Sequence, residues 1–341
     1  MNHLNRGPLT LLNWIVAGLL ITVSVAGCEQ GPPWQEIADR AIPARWGHAA
    51  VYDAKRDRML VFAGQGADGK QRNDVWALDL ASLQWQPVAT TVGPAPRSDL
   101  AAVLDPLGDR LIAVDGREGL LTSISETWAL DLTTNVWSQL PTAPPARHDV
   151  PAATDGQHAW VFGGAGDFLQ SLDDLWELDF ATSTWTQLPD DGVRPIARGS
   201  SSFAYWNGAL YLYGGHDVAF VRRDAWRYDL TLQQWRPLKF SGSSVAGAHF
   251  GYAFDPVCQA LVLVGGDNLD NYDTSLSDGL VLDGPPRMAK VIASPNPHPR
   301  DHPSLILDQA RHRLVLFGGG SVGDGLGTLG DGWTFDLDEC P

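Results

Sequence analysis

Residues 159–185, AWVFGGAGDFLQSLDDLWELDFATSTW, contain the unit that decides the fold. An apolar run ends at Gly163 and Gly164, a polar loop follows, and an alternating segment is then centred on Trp176. Short apolar or alternating runs bounded by glycine and polar turns predict β-strands. Paired glycines suit the end of such a strand because they permit positive φ and close backbone approach. These strands cannot bury their apolar faces alone, which predicts further copies of the unit.

Copies of this unit recur in register along the chain. The second glycine recurs at Gly64, Gly116, Gly164, Gly215, Gly266 and Gly319. The strand tryptophan recurs at Trp76, Trp128, Trp176, Trp226 and Trp333, with Leu280 in the fifth copy. An acid lies two residues earlier in each copy, at Asp74, Glu126, Asp174, Asp224, Asp278 and Asp331. The copies are about 50 residues apart, the spacing of four-stranded kelch blades.

These motifs resemble the kelch repeat over nearly everything after residue 33, which implies an all-β, six-bladed kelch-type β-propeller. The outer strand of a repeat carries Trp with an aliphatic residue three positions later, and Trp34 and Ile37 match that pattern. The sixth repeat ends at Pro341, just before its own Trp is due. We therefore expect the N-terminal strand at 34–37 to complete blade six and close the ring, which removes open sheet edges.

The first 27 residues have the pattern of an export signal. A short start with Arg6 precedes an apolar run, and small residues then lead into Cys28. This pattern predicts a signal peptide at 1–27. The residues ending in Cys28 resemble a bacterial lipobox, which implies lipidation of Cys28, a tether at 28–33 and the propeller at 34–341. Ordinary secretory cleavage and an uncleaved membrane anchor are the alternatives. We expect an exported lipoprotein, periplasmic or at the cell surface.

The composition excludes some classes of partner. The chain has 24 Lys and Arg against 40 Asp and Glu, a formal net charge of −16. Such a charge disfavours nucleic acid and anionic lipid headgroups. The oligomeric state expected is a monomer.

The fifth repeat departs from the pattern. Its strand Trp is Leu280, its outer Trp is Ala289, and Gly247 stands where other repeats begin with Arg. An acidic loop with Asp267, Asp270 and Asp273 belongs to the same repeat. A drifted repeat with a solvated loop is favoured over a calcium site, because the spacing is not that of a calcium-binding loop.

Two cysteines remain besides Cys28. Cys258 lies in an inner turn of blade five and Cys340 follows the third strand of blade six. A disulfide between them suits an oxidising compartment, but its Cα atoms must come within about 7 Å, so both states stay open.

Five inner strands begin with arginine, which predicts a ring of guanidiniums at one mouth of the central channel. Its members are Arg45, Arg97, Arg147, Arg198 and Arg300. Guanidiniums suit carboxylates, so the ring favours an anionic ligand. The structural alternative, with each Arg paired to the acid before the strand Trp or to neighbouring carbonyls, is favoured over direct ligand contact. Neighbouring residues that differ between blades are candidates for specificity: Trp46, His48, Asp99, His148, Asp149, His249, Asp301 and His302.

Signals for catalysis are weak. His48, His249 and His302 lie near the starts of inner strands, yet no histidine pair has the spacing of metal ligands on one strand. No metal and no cofactor is therefore expected. The kelch resemblance includes galactose oxidase, whose copper site finds no match here. We expect a membrane-anchored binding module for a protein segment or a glycan in the cell envelope, and an enzyme is not favoured. The alternative is a periplasmic carbohydrate-active enzyme, such as a sugar epimerase or mutarotase.

Overall fold

The computed structural model describes residues 34–119, 122–189, 192–239, 247–267, 277–281, 287–290, 297–321 and 327–337. The predicted signal peptide, the tether with Cys28, the acidic residues Asp270 and Asp273, and Cys340 lie outside these ranges. All described residues belong to one compact structural unit.

The described residues form β-strands joined by turns, with one short 3-10 helix at Asp167–Leu169. In chain order the strands are β1 (Gln35–Ile37), β2 (Arg45–Trp46), β3 (Ala49–Asp53), β4 (Arg58–Phe62), β5 (Gln65–Gly66), β6 (Val75–Asp79), β7 (Gln84–Val88), β8 (Ala101–Asp105), β9 (Arg110–Val114), β10 (Arg117–Glu118), β11 (Thr122–Ser123), β12 (Thr127–Asp131), β13 (Val136–Gln139), β14 (Ala152–Thr154), β15 (His158–Phe162), β16 (Leu175–Asp179), β17 (Thr184–Gln187), β18 (Ser202–Trp206), β19 (Ala209–Tyr213), β20 (Ala225–Asp229), β21 (Gln234–Leu238), β22 (Ala248–Asp255), β23 (Ala260–Asp267), β24 (Ser277–Val281), β25 (Arg287–Lys290), β26 (Ser304–Asp308), β27 (Arg313–Ser321) and β28 (Gly327–Asp336).

The longer strands pair into four-stranded antiparallel sheets. Their orders are β3-β4-β6-β7, β8-β9-β12-β13, β14-β15-β16-β17, β18-β19-β20-β21, β22-β23-β24-β25 and β26-β27-β28-β1. The innermost strands β3, β8, β14, β18, β22 and β26 line a common channel. Four-stranded meanders arranged around a channel define a β-propeller, so the expected all-β propeller fold is confirmed.

The prediction of six kelch-type blades is wrong, because five blades carry the kelch pattern of contacts. We call this pattern the kelch lock: a buried Arg, the acid it binds and the strand Trp that donates to the same acid. It is present in the sheets that begin with β3, β8, β14, β18 and β26. The sheet β22–β25 has Gly247 in place of the Arg, and Phe250 occupies the space where a Cβ of Gly247 would lie. The side chains of β24 and β25 are outside the described part.

The N-terminal strand forms the outer edge of the sheet that also holds the C-terminal strand. β1 pairs antiparallel with β28, with Gln35 opposite Thr334 and Ile37 opposite Gly332. Trp34, just before β1, is buried and its ring centroid lies 5.2 Å from that of Phe335. The chain ends are therefore joined in one sheet, as the position of Trp34 in the sequence predicts.

Outer-strand tryptophans pack each blade against the preceding one. The ring of Trp137 lies 4.9 Å from Phe62, and the ring of Trp85 lies 4.9 Å from Phe317. Trp235 contacts Phe162 in the same way, at 5.1 Å. Because a large aromatic side chain buries much apolar area, these contacts fill the wedge between neighbouring sheets. This packing fixes the inner strands around the channel.

No helix among the described residues is both long and apolar enough to cross a membrane.

Candidate functional site

The predicted arginine ring is buried inside the blades and does not line the channel. Arg147, for example, is fully buried; its Nε donates to the Pro145 carbonyl at 2.9 Å and its Nη1 to the Gly163 carbonyl at 2.8 Å. Nη1 and Nη2 also bind the two carboxylate oxygens of Asp174, at 2.8 and 2.9 Å. The partner acids in the other locks are Asp74, Glu126, Asp224 and Asp331.

These contacts make the arginines structural. The indole of Trp176 on β16 donates to Asp174 Oδ2 at 2.6 Å, and Arg147 links this carboxylate before β16 to the Gly163 carbonyl after β15. Burial opposes ionisation of this carboxyl, but Arg147 and Trp176 hold the pKa of Asp174 below its usual range. Since the Arg147 donors are engaged within the blade, the geometry favours the structural alternative for the arginine ring.

A different ring of residues forms the mouth of the channel. Each member lies two positions after a lock arginine or, in the fifth repeat, after Gly247. Its members all have positive φ and come one from each inner strand: Gly47, Asp99, Asp149, Ser200, His249 and His302. From Asp99 onward, each backbone N–H donates to the carbonyl of the previous member: Asp99 to Gly47 at 2.7 Å, Asp149 to Asp99 at 2.8 Å, Ser200 to Asp149 at 2.7 Å, His249 to Ser200 at 3.1 Å and His302 to His249 at 2.9 Å. We call this set the mouth ring. Its backbone bonds hold the side chains in fixed positions around the axis.

A second register rule brings further side chains to the mouth ring. The residue directly after the second glycine pairs with the residue directly after the lock arginine or its equivalent. The pairs are Trp46 with Gln65, Ser98 with Arg117, His148 with Ala165, Gly199 with His216, Ala248 with Asp267, and Asp301 with Gly320. Arg117 and His216 were missed as site residues from the sequence, although their position after Gly116 and Gly215 was a usable signal.

Asp99 is a buried carboxyl between a guanidinium and a second carboxyl. Its Oδ2 lies 2.6 Å from Arg117 Nε and accepts from the Ser98 hydroxyl at 2.8 Å. Burial and the nearby Asp149 carboxylate raise the pKa of Asp99, while Arg117 and His302 oppose that rise. Asp99 is therefore the carboxyl of the mouth ring that most readily holds a proton.

The pKa of Asp149 is shifted in the opposite direction to that of Asp99. Burial opposes its ionisation, but the neighbouring His249, His302 and His148 lower the pKa of Asp149. His148 Nε2 lies 3.7 Å from Asp149 Oδ2, and its Nδ1 is 3.0 Å from the Ser123 hydroxyl. Asp149 is thus an ionised carboxylate surrounded by imidazoles.

His302 is held between carboxylates. Its Nδ1 lies 3.5 Å from Asp301 Oδ1 and its Nε2 lies 4.0 Å from Asp99 Oδ1. Burial opposes protonation, but Asp301, Asp99 and Asp149 outweigh it and raise the pKa of His302 to about 9. The edge of Trp46 meets His302 at 5.3 Å, and Arg117 lies 5.7 Å from the Trp46 ring centroid.

His249 stacks on His302, with ring centroids 3.7 Å apart. Its Nδ1 lies 3.0 Å from Asp267 Oδ2, a contact that fixes the ring orientation. The ring of His216 lies 4.9 Å from that of His249 on the other side. Three imidazoles therefore line one side of the mouth ring.

His48, also a predicted site residue, has a structural place. It is buried, and its Nε2 lies 2.9 Å from the Ser304 hydroxyl. Burial and the neighbouring Arg45 and His302 charges lower the pKa of His48 to about 3. The ring therefore stays neutral and links two inner strands.

The channel behind the mouth ring has a volume of about 720 Å³. Small side chains such as Ala50 and Ala102 belong to its wall, and Trp206 and Phe254 lie at its far end, with ring centroids 5.2 Å apart. Tyr252 projects into the channel and bonds with the backbone of Ala152. Most carboxyl and imidazole groups of the lining thus lie at the mouth, and Asp155 lies at the far end.

Cys258 is buried and disulfide-bonded. Its expected partner, Cys340, lies outside the described residues.

The fold and the kelch lock define a kelch-type β-propeller. The chain belongs to the family described as the KLHDC2/KLHL20/DRC7 Kelch-repeats domain, whose model matches residues 34–153 and 141–287.

Curated proteins with similar segments come from several contexts. The chain is 34% identical over 143 residues to the putative adagio-like protein 2 of Oryza sativa subsp. japonica, covering 39% of this chain and 22% of that protein. It is 28% identical over 213 residues to kelch domain-containing protein 3 of Bos taurus, covering 58% of this chain and 55% of that protein. A 61-residue segment is 41% identical to dynein regulatory complex subunit 7 of Chlamydomonas reinhardtii, covering 18% of this chain and 5% of that protein. The chain thus spans less than two thirds of each relative's length.

Proposed function

We propose that this kelch propeller is an interaction module that binds a protein segment at the mouth ring. The observation that carries the proposal is the concentration of carboxyl and imidazole groups at this mouth, because the wall behind it is lined mainly by small, apolar and tyrosine side chains, with Asp155 at the far end. Asp99, Asp149, His249 and His302 are held by a hydrogen-bonded backbone ring, so the site is rigid before a ligand arrives. Such preorganisation lowers the entropic cost of binding.

The charge at the mouth favours a cationic group on the ligand. The five lock arginines are buried, and the carboxyl groups of Asp99, Asp149, Asp267 and Asp301 surround the mouth together with two cations, the Arg117 guanidinium and the His302 imidazolium. A Lys or Arg side chain of a protein segment fits this arrangement better than the anionic ligand expected from the sequence. Trp46, beside Arg117, offers an aromatic face to the same segment.

The location of this activity remains our proposal from the sequence. A lipid anchor on Cys28 would place the module in the cell envelope, exported and periplasmic or at the cell surface. Glycans of the envelope are the alternative ligands there. We propose that the module acts as a monomer without a cofactor for binding.

The test uses defined probes and matched variants. Fluorescent peptides that differ only in Lys, Glu or Gln content, and a panel of envelope glycans, are titrated with the purified protein. We expect the Lys peptide to bind best, with affinity that falls as salt rises. Asp149→Asn should weaken that binding at least about tenfold, while Glu36→Gln, on the outer edge of the ring, should leave it unchanged. Preference for the Glu peptide, or equal binding by both variants, would contradict the proposal.

The carboxyl pair supports a second candidate, a carbohydrate-active enzyme. One carboxylate oxygen of Asp99 and one of Asp149 lie within 4.8 Å of each other and of a His302 nitrogen. The pKa of Asp99 is raised and that of Asp149 is lowered, and paired carboxyls with opposite shifts suit a general acid and a general base. Anomer interconversion of free sugars, followed by NMR, tests this candidate. Activity that Asp149→Asn abolishes would support it, and no activity on any free sugar tested would remove it.

A further inference from the structure

Three side chains on neighbouring blades converge at one side of the mouth ring. One nitrogen of His216, one nitrogen of His249 and one carboxylate oxygen of Asp149 all lie within 4.8 Å of one another. The three residues belong to three successive repeats. They meet because the blades are arranged side by side around the channel. Two imidazoles and one carboxylate form a ligand set that divalent transition metals use in proteins.

The hydrogen bonds of both histidines leave the second nitrogen available. His249 Nδ1 lies 3.0 Å from Asp267 Oδ2, and His216 Nδ1 lies 3.2 Å from the Asp217 carbonyl oxygen. An Nδ1–H that donates to an oxygen leaves the lone pair on Nε2. His216 Nε2 is buried and has no hydrogen-bond partner among the described residues. A carboxylate behind a ligating imidazole is the usual outer support of a metal site.

The backbone holds the three ligands firmly. His249 and Asp149 are both bonded to Ser200 in the mouth ring, at 3.1 and 2.7 Å. His216 pairs with Gly199, whose neighbour Ser200 lies between the other two ligands in the ring. A tetrahedral ion with bonds of about 2.0–2.1 Å needs ligand atoms roughly 3.3 Å apart. The cluster therefore needs only small side-chain rotations to close on an ion.

We propose that Asp149, His216 and His249 bind one divalent transition-metal ion of the zinc class, with Asp267 supporting His249. Three protein ligands leave a coordination position free for a water molecule or a ligand group that enters the mouth. The proposal needs neither the peptide binding nor the sugar chemistry proposed above, because the metal alone is the probe.

Neighbouring clusters are less suited to a metal. His302 in the cluster with Asp99 and Asp149 has both ring nitrogens directed at carboxylates of Asp301 and Asp99. In the cluster of Asp255, Cys258 and His312, the sulfur of Cys258 is already in a disulfide.

The experiment is metal titration of the purified, untagged protein after chelator treatment. Calorimetry with Zn²⁺ should show one ion per chain, and Co²⁺ should give the visible absorption of a low-symmetry site. His216→Gln and Asp149→Asn should each abolish the stoichiometric phase. Asp267→Asn should weaken binding by about 10–100-fold, because it removes the support of a ligand.

The control is a histidine–aspartate pair on another part of the chain. His158 Nδ1 lies 3.2 Å from Asp155 Oδ2 in the turn before β15, and His158→Gln should bind Zn²⁺ as the parent does. Near-UV circular dichroism of the many tryptophans verifies that each variant is folded. No stoichiometric binding by the parent would overturn the proposal. Stoichiometric binding that survives in folded His216→Gln or Asp149→Asn, or that is lost equally in His158→Gln, would do the same.

Discussion

The hydroxyl of Tyr252 on β22 donates a hydrogen bond to the carbonyl oxygen of Ala152 on β14, at 3.3 Å, and the Ala152 N–H donates to the Tyr252 hydroxyl oxygen, also at 3.3 Å. The strands β14 and β22 belong to different sheets, with the sheet of β18 between them in the chain. The phenol therefore crosses part of the channel. Burial raises the pKa of Tyr252 to about 12, so the hydroxyl stays protonated at neutral pH.

We expect Tyr252→Phe to lower the free energy of unfolding by about 1 kcal/mol, the typical value of one hydrogen bond. Tyr252→Ala should cost more, about 2–3 kcal/mol, because it also removes the packing of the half-buried ring. Urea denaturation followed by tryptophan fluorescence measures both changes. A Phe variant as unstable as the Ala variant would show that the hydrogen bond, and not the ring, carries the contact.

The kelch lock predicts a large effect of Arg147→Ala on stability. The substitution leaves Asp174, whose side chain is 20% exposed, without its guanidinium, and we expect a loss of about 3 kcal/mol, toward the lower end for breaking a buried pair on one side. Arg147→Lys should recover only part of the loss, since an ammonium cannot bind both carboxylate oxygens in a fork. Thermal and urea denaturation give the comparison.

A surface arginine is the control for that experiment. Arg72 pairs with Asp68 on an exposed loop, so Arg72→Ala should leave the denaturation midpoint close to that of the parent. A stable Arg147→Ala protein that loses binding of an anionic probe would instead restore the arginine ring as a ligand site.

Much of this architecture could be predicted from the sequence because each repeat encodes its own strands. Gly163 and Gly164 end β15, and Trp176 lies in β16, as the pattern of unit 159–185 predicts. The role of Arg147 could not be decided in the same way. A residue repeated in each copy marks a position in the blade, but not whether its side chain faces the channel or the neighbouring strand. In the structure the Arg147 side chain points into its own blade and binds Asp174.

Only part of the mouth ring could be predicted from the sequence. Asp99, Asp149, His249 and His302 differ between blades and were recognised as candidates. His216 was not, because its place at the mouth depends on pairing with Gly199 across the blade. The count of kelch blades was wrong because spacing and acidic residues in the fifth repeat resemble the other copies, whereas Gly247 supplies no guanidinium for a lock.

The protonation of His302 predicts how stability changes with pH. Its folded pKa of about 9 lies above the ordinary histidine pKa of 6.5. Its contribution is therefore fully present below about pH 6.5 and is lost as pH rises toward 9. We expect the parent to lose on the order of 1–3 kcal/mol over this range, and His302→Gln to lose less. Urea midpoints at several pH values between these limits test the difference.

The same pH series has a control at the outer edge of the ring. Glu36 lies on β1 and pairs with Arg40 there, so Glu36→Gln should follow the parent curve. Asp301→Asn should flatten the curve as His302→Gln does, because Asp301 holds the imidazolium. If both mouth variants retain the full pH dependence, another group is responsible for it.

The proposed anchor makes a prediction about residues outside the described part. If Cys28 carries the lipid, Cys28→Ser should release the protein into the soluble fraction or leave an unprocessed precursor. Buried acyl chains contribute about 0.8 kcal/mol per methylene to membrane binding. Metabolic labelling with a fatty acid and cell fractionation measure the outcome. Lipid labelling of the Ser variant at the level of the parent would remove the assignment.

The closure of the ring predicts the effect of Trp34→Ala. Trp34 is 5% exposed, and it belongs to a core cluster that includes Val262 of β23 and Phe335 of β28. It therefore belongs to the core between the last sheet, β26-β27-β28-β1, and the preceding sheet, β22-β23-β24-β25. Truncation of a buried aromatic side chain costs about 3–5 kcal/mol, and we expect that loss in urea denaturation.

Leu232→Ala is the control for closure, because Leu232 is 54% exposed on the outer rim and its truncation should leave the midpoint near the parent value. Deleting residues 34–40 should go further than Trp34→Ala. The deletion exposes the hydrogen-bonding edge of β28, which is then free to pair with another chain. Light scattering should therefore detect association of the deletion variant but not of Trp34→Ala. A monomeric deletion variant with the stability of the parent would mean that β1 does not close the ring.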